Sequence, residues 1–339
     1  MQKKTVSFSG SAVDFYFNDS IDRLNRLVGP ASTFLLTDEH VYAAHTRRFR
    51  NFPCIVLKPG EAYKNQATVD AVIGQLIEMG ADRGSTLVGI GGGVVTDITG
   101  YVASVYMRGI NFGFVPTSLL ALVDASIGGK NGVDVGVYKN MVGLIRQPQF
   151  ILHDLSLLRS LPAAEWANGF AEIIKHACIR DAALFRQLEE NTAAGYRKNP
   201  EALERLIRRN ALLKSKVVQA DPFERGERKL LNFGHTLGHA IENIYELSHG
   251  QAISIGMAFA CHLSQEVTGF RDTQRVTRLL QRYKLPAYAD FDRKKAYATL
   301  QKDKKKNLGE IGYVLLDRIG KGMIHRMPLA ALEQRLAAY

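Results

Sequence analysis

Three histidines in one short stretch carry the first chemical signal. Residues 228–251 read RKLLNFGHTLGHAIENIYELSHGQ, with His235 and His239 four apart and His249 ten further on. On a helix, residues four apart share a face, and neutral imidazole is a common zinc donor. A lone helical histidine is more often core or surface than ligand. Two at this spacing with a third nearby, beside Asn232 and Arg228, say more. Upstream, GFAEIIKH carries Glu172 and Lys175 three apart. A carboxylate in so apolar a segment is costly to bury unpaired. Two readings stand side by side: a buried ion pair with Lys175, or a carboxylate completing a Glu/His/His metal set with a position open to substrate.

Two glycine-rich stretches carry the second signal. After an apolar run at 86–90 come Gly91, Gly92 and Gly93, then Thr96 and Asp97. A strand running through glycines into a helix lets backbone N–H groups approach a pyrophosphate. The pattern is not GxGxxG, and a tight turn needing positive φ explains it equally well. Thr37-Asp38 closes another strand-like run, where Asp38 could bond a ribose hydroxyl or cap a helix. Pro59-Gly60-Glu61 and Lys64 read as a turn with a charge. Residues 115–143 read VPTSLLALVDASIGGKNGVDVGVYKNMVG, with five glycines in the last 16 positions around Asp124, Lys130, Lys139 and Asn140. A loop folding around a compact anion, or an ordinary surface loop with solvated lysines, fits that composition.

The elements that must hold these groups differ between the two halves. Runs at 33–37, 54–57, 86–90 and 112–115 are short, apolar and bounded by Gly, Pro, Asp or Asn, as strands are. Between the second and third, Val69, Val72, Ile73, Leu76 and Ile77 recur at helical spacing over 65–79. Alternation of this kind predicts a parallel sheet with helices on its faces. From about 160 the periodicity is helical: 163–179, 200–219, 234–246, 250–268 and 273–283. A strand at 312–316 and a short helix from Leu329 finish the chain. The junction falls within 148–162, around Pro148 and Pro162. The expected architecture is an α/β domain over 1–155 and a mainly helical domain over 156–339, with a cleft between them.

Composition bounds the rest. The 339 residues suggest about two domains. With 46% apolar and 23% charged residues, a disordered, collagen-like or cysteine-stapled chain is excluded. The net charge of +11 favours anionic partners such as nucleic acid, anionic membranes or phosphorylated metabolites. No helix-turn-helix, zinc-finger spacing or RNP-type aromatic run points to nucleic acid. The KDKKK run at 302–306 is of the kind a solvated face carries, and Lys214 lies on the helix before Arg228. Cys54, Cys178 and Cys261 are few, odd in number and without CxxC spacing, as in a reducing compartment. With no signal-type leader and no ~18-residue apolar run, a cytoplasmic protein without membrane contact is expected.

From 91 to 316 the chain resembles the 3-dehydroquinate synthases of the sugar phosphate cyclase superfamily. The matching runs are GGGVVTDITGYVAS, YMRG, VPTSLLALVDASIGGKNGV, YKNMVG, GFAEIIKH, RKLLNFGHTLGHAIE, SHGQAISIGMA and KDKKKNLG, with a weaker match through PGEAYK. The resemblance implies a Rossmann-like, NAD-holding first domain, a helical second domain holding zinc or cobalt, an active site in the cleft between them, and a cytoplasmic homodimer. It implies a phosphorylated sugar acid substrate, 3-deoxy-D-arabino-heptulosonate 7-phosphate, in aromatic amino acid biosynthesis. It places metal ligands at Glu172, His235 and His249, with His239 touching substrate instead. Lys130, Asn140, Asn232 and Lys305 match the substrate and phosphate site, and Arg108 an arginine reaching the neighbouring subunit's phosphate pocket. Asp124, Lys139, Lys175, Lys214 and Arg228 match polar groups around the sugar acid. Asp38, Glu61, Lys64, Gly92, Gly93, Asp97, Thr117 and Ser118, with Lys130 and Lys139 beside them, match the cofactor side. Asn131, Ser118 and Asp134 depart from residues common in the family. The rivals are a cyclase for another sugar phosphate and a metal- and NAD-dependent polyol dehydrogenase. Lys130, Lys214, Arg228, Asn232 and His239 together favour the carboxylate-bearing substrate.

Overall fold

A computed structural model describes residues 2–136, 138–242, 244–304 and 309–339, with the side chains of 302–304 left aside. Two compact units emerge. One comprises the residues up to Trp166 together with Pro200–Phe223, the other Ala167–Asn199 with Glu224–Tyr339. This division differs from a single cut at 155, because the chain returns to the first unit for one long helix.

The first unit is built on a seven-stranded sheet. In chain order its strands are β1 (Gln2–Phe8), β2 (Ser11–Phe17), β3 (Thr33–Asp38), β4 (Cys54–Leu57), β5 (Thr86–Gly91), β6 (Asn111–Pro116) and β9 (Phe150–His153). They lie in the order β1-β2-β9-β6-β5-β3-β4, all parallel except the β1–β2 hairpin. Side chains alternate faces along a strand. Phe34, Leu36, Leu87, Phe112 and Phe114 therefore pack on one face against helices α2 (Gln66–Glu78), α3 (Gly93–Val105) and α7 (Pro200–Ala220). Leu35, Val88, Ile90, Val115 and Leu152 pack on the other, under α1 (Glu39–His45) and the short turns at Ile21–Arg26 and Leu155–Ser160. Burial on both faces gives the continuous apolar strands seen in the sequence. A separate antiparallel hairpin, β7 (Lys130–Val135) and β8 (Tyr138–Ile145), completes the unit.

That hairpin corrects the expected loop at 128–143. Gly132 pairs with Gly143, and the Asn131 side-chain amide donates to the carbonyls of Gly129 (2.7 Å) and Arg146 (2.9 Å), closing the hairpin across its base. The β1–β2 hairpin was not evident in the sequence because β1 is mostly exposed and reads as polar.

The second unit is mainly helical. It holds α4 (Ala163–Arg180) from Ala167 on, α5 (Ala182–Glu189), α6 (Ala193–Lys198), α8 (His235–Glu242), α9 (His249–Thr268), α10 (Thr273–Arg282), α11 (Arg293–Lys304) and α12 (Leu329–Ala338). Its only hairpin among the described residues is β10 (Glu310–Arg318) with β11 (Lys321–Pro328). Helix α9 is buried nearly all round, as a helix central to its unit must be. Phe170 of α4 packs against Tyr283 (4.5 Å between rings) and Tyr196. Helix α8 ends at Glu242, short of the expected 246. Ser248 is extended (φ −67°, ψ 155°) and opens α9 with a reciprocal Ser248/Gln251 capping box.

Candidate active site

In the second unit, three local devices bring Glu172, His235 and His249 together. Glu172 lies on α4, fully buried. One turn earlier on that helix, Asn168 accepts hydrogen bonds from the Ser248 hydroxyl (2.8 Å) and the Gly250 N–H (2.9 Å). This ties the first turn of α9, and with it His249, beside Glu172. Helices α8 and α9 approach closely because Gly256 packs on the Gly234 carbonyl, where a Cβ would overlap it. His235 opens α8, and its Nδ1 hydrogen-bonds the Phe233 carbonyl at 3.2 Å. That bond turns Nε2 toward the carboxylate.

The resulting geometry is compact. Glu172 Oε1 lies 3.3 Å from His249 Nε2 and 3.6 Å from His235 Nε2. All three donor atoms lie within 4.8 Å of one another. For zinc–ligand bonds of 2.0–2.1 Å, neighbouring donors of a tetrahedral site stand about 3.3 Å apart. One carboxylate and two imidazoles at these separations, with a fourth position left to substrate, fit a catalytic zinc or cobalt site. Burial, and next the charge of Lys175, hold His235 well below its ordinary pKa, so it is the neutral imidazole a metal requires. Burial lowers His249 too, but hydrogen bonds to Glu172 and Glu242 outweigh it and raise its pKa to about 9. Lys175 pairs with Glu172 Oε2. The two sequence readings of Glu172 are thus compatible: one oxygen faces lysine, the other the imidazoles.

A second trio, His239, Glu242 and His249, also gathers donor atoms within 4.8 Å. It shares His249 and includes the exposed His239. Its ring lies 5.0 Å from that of His235. Arg228 is buried in the turn Glu227–Asn232, and Asn232 donates to Glu224 Oε1 at 2.6 Å. Lys305 lies outside the described residues.

In the first unit, the residues matched to the cofactor gather at the carboxyl ends of adjacent strands. Asp38 ends β3, Gly92 and Gly93 follow β5, and Thr117 and Ser118 follow β6. The chain runs β3 to β4 in one direction and crosses back to β5 on the other side of β3, which makes the β3/β5 crevice a switch point of the sheet. Ligands of open α/β sheets bind at such crevices. The expected positive φ is absent at the glycine turn: none of Gly91, Gly92 and Gly93 has it. Close packing explains Gly91 instead, since a Cβ there would stand 2.5 Å from Val95. Gly92 is different. Its φ is −78°, and a Cβ would meet only the Ser118 side chain, at ordinary contact distances of 3.6 Å (Oγ) and 4.0 Å (Cβ). The protein's own packing does not require glycine at 92, and no side chain caps α3. A bare backbone at an uncapped helix start is the cradle a dinucleotide pyrophosphate fits.

Around it, Lys64 is buried, with its ammonium 2.7 Å from Asp97 Oδ2, 3.6 Å from Glu61 and 2.5 Å from Asn140 Oδ1. Burial lowers its pKa, but Asp97 and Glu61 overcome that and raise it to about 12. Burial pushes Asp97 up to about 6, partly offset by Lys64. Asp38 caps α1 through the Val41 N–H at 2.9 Å, so the capping reading holds for one of its oxygens. Asn140 is left-handed (φ 55°), and its N–H donates to Asp134 at 2.7 Å. Lys214 of α7 reaches the Asp124 carbonyl (2.7 Å) and Oδ1 (2.8 Å). Lys130 opens β7 and Lys139 lies on β8. Arg108 is exposed in a turn where Met107, Arg108 and Gly109 all have positive φ. Arg146 holds that turn by donating to the carbonyls of Ala103 (2.9 Å) and Ile110 (2.8 Å). Asn168, Arg146 and Glu242 were not singled out in the sequence. Only Glu242 left a signal there, seven residues and two helical turns from His235.

A dinucleotide-type sheet and a carboxylate–imidazole metal set define a class of metal- and nucleotide-dependent enzymes. Models of the 3-dehydroquinate synthase N-terminal and C-terminal regions match residues 54–168 and 169–306. The 3-dehydroquinate synthase of Bordetella pertussis is 42% identical over 302 residues, covering 87% of this chain and 84% of that protein. Among solved structures, the 2-epi-5-epi-valiolone synthase of Streptomyces hygroscopicus subsp. jinggangensis, with NAD+ and Zn2+ bound, superimposes with TM-score 0.87 at 26% identity, covering 99% and 98% of the two chains. A 2-deoxy-scyllo-inosose synthase complexed with carbaglucose-6-phosphate, NAD+ and Co2+ shares the fold, with TM-score 0.87, 24% identity and 99% coverage of both chains. This chain belongs to the 3-dehydroquinate synthase family.

Proposed function

We propose that the chain is an NAD- and metal-dependent, phosphate-eliminating cyclase that converts 3-deoxy-D-arabino-heptulosonate 7-phosphate to 3-dehydroquinate and phosphate. The observation that carries this reading is the meeting of Glu172, His235 and His249 around one point in a chain of this family. NAD held by the first unit would supply a transient hydride acceptor for the C5 hydroxyl carbon, with no net redox change overall. Glu172, His235 and His249 would hold a zinc or cobalt ion, which would supply Lewis acidity to the adjacent hydroxyls.

The chain's own residues bind and orient. Lys130, Asn140, Asn232 and Lys305 hold the phosphate end. Asp124, Lys139, Lys175, Lys214, Arg228 and His239 hold the carboxylate and ring hydroxyls. Asp38, Glu61, Lys64, Gly92, Gly93, Asp97, Thr117 and Ser118 hold the dinucleotide. With C5 oxidised, the neighbouring C–H is acidic. Its proton passes to an oxygen of the phosphate as the C–O bond to that phosphate breaks, so no side chain is assigned as general base. The ketone is then reduced, the ring opens, and an intramolecular aldol closes the carbocycle. Keeping one substrate oriented through all of these steps is the main task. The working form is a cytoplasmic homodimer in which Arg108 reaches the neighbouring subunit's phosphate pocket.

Purified protein given the heptulosonate phosphate, catalytic NAD and zinc is expected to release stoichiometric phosphate without accumulating NADH, and a chelator should abolish the release. Phosphate release from sedoheptulose 7-phosphate or glucose 6-phosphate instead would shift the reading to another cyclase. NADH accumulation with a polyol would replace it with a dehydrogenase.

A further inference from the structure

We propose that Glu242 is a positioning residue that orients His249 for the metal. This rests on reading Glu172, His235 and His249 as the metal set. The two imidazoles of that set are held in parallel ways. His235 engages Phe233 through Nδ1 and turns Nε2 to Glu172. His249 turns Nε2 to the same Glu172 oxygen, and its Nδ1 lies 3.5 Å from Glu242 Oε1. A backbone carbonyl orients one ring, and a carboxylate orients the other.

The placement of Glu242 supports this role. It ends α8 on the face that carries His235, two turns away. Its side chain is only 8% exposed. The carboxyl end of a helix is an unfavourable place for a negative charge, so a nearly buried carboxylate there needs compensation from cationic or donor groups. The imidazole N–H of His249 is one such donor. A carboxylate accepting from Nδ1–H fixes the tautomer that leaves the Nε2 lone pair for the ion, and makes that nitrogen a better donor. Glu242 approaches His249 through the nitrogen that Glu172 does not face, which separates this role from ligation in the Glu172 set.

The test compares zinc affinity of the wild-type protein, Glu172→Gln, Glu242→Leu and Glu242→Gln by competition with a chromophoric chelator. Glu242→Leu keeps similar bulk without an acceptor and should bind zinc ten- to a hundredfold more weakly. Glu242→Gln keeps a carbonyl acceptor and should recover most of that loss, which a purely packing role would not predict. Cobalt-substituted Glu242→Leu should keep the wild-type ligand-field spectrum. Wild-type affinity in Glu242→Leu overturns the proposal, and so does a cobalt spectrum showing one ligand fewer, which would make Glu242 a ligand. Glu172→Gln is the separate control: if it binds zinc as tightly as wild type, the metal set itself is wrong. Should Glu242→Leu fail to fold, histidine 15N spectra of the zinc-loaded wild-type protein decide. His249 with a protonated Nδ1 and a zinc-bound Nε2 supports the role, and the reverse arrangement overturns it.

Discussion

At His153, the last residue of β9, an imidazole sits 1% exposed in the sheet core. Its ring meets Phe17 edge-on at 4.8 Å and Phe15 at 6.1 Å, and neither ring nitrogen has a hydrogen-bond partner among the described residues. Burial lowers its pKa to about 3. The imidazole is therefore neutral in the folded chain over the whole working range. In the unfolded chain it takes up a proton below about pH 6.5. Its contribution to stability is fully present above that pH and is lost as pH falls from about 6.5 toward 3. Between pH 7.5 and 5 the loss is about 2 kcal/mol. Asp97, raised to about 6, works in the opposite direction, so the wild-type slope contains both. Urea unfolding of wild type and His153→Leu at the two pH values isolates the imidazole. The variant should lose about 2 kcal/mol less on acidification, and identical slopes would show that His153 is not responsible.

Elements differed in how plainly the sequence announced them. Strands β3, β5 and β6 are buried on both faces and the edge strand β4 on one, and each appears as an apolar run. The β7–β8 hairpin did not, because its strands are rich in glycine and polar residues and depend on the Asn131 cross-tie. The same distinction holds at the site. The spacing of His235 and His239 is a property of one helix and could be read directly. The approach of Glu172 to His249 depends on Asn168 bonding the start of α9, a tertiary contact with no local signature. At the β5–α3 turn, two neighbouring glycines have different reasons to be glycine, and this is measurable. Gly91→Ala places a Cβ against the stiff Val95 and should destabilise by about 1–3 kcal/mol. Gly92→Ala should leave stability within about 0.5 kcal/mol, while NAD affinity falls roughly tenfold or more, about 1.4 kcal/mol. Equal effects of the two substitutions on both quantities would remove the argument for a pyrophosphate at Gly92.

For the molecule as a whole, the net charge of +11 suits an anionic substrate, and among the described residues no helix is long and apolar enough to cross a membrane. The proposed homodimer makes a prediction that single-chain properties cannot imitate. Arg108→Ala and Lys214→Ala should each be nearly inactive alone. Mixed and re-equilibrated in equal amounts, they should recover about a quarter of wild-type activity, because half the dimers are hybrids and each hybrid carries one intact site. If Arg108 serves its own subunit, no hybrid site is intact and mixing restores nothing. Sedimentation of the wild-type protein as a monomer would also end the dimer proposal.

The path of the chain has a consequence for how the protein is made. The first unit takes β1 from the very start of the sequence and α7 from residues 200–220, and buries Ala211 and Val218 of that helix with Val6 and Phe8. Between them the chain leaves to lay down α5 and α6 elsewhere. On the ribosome, where domains otherwise close in order of emergence, this sheet must wait with one face incompletely covered until α7 has been translated. Nascent chains stalled before residue 200 would present that apolar face to chaperones, and those stalled after α7 has emerged would not.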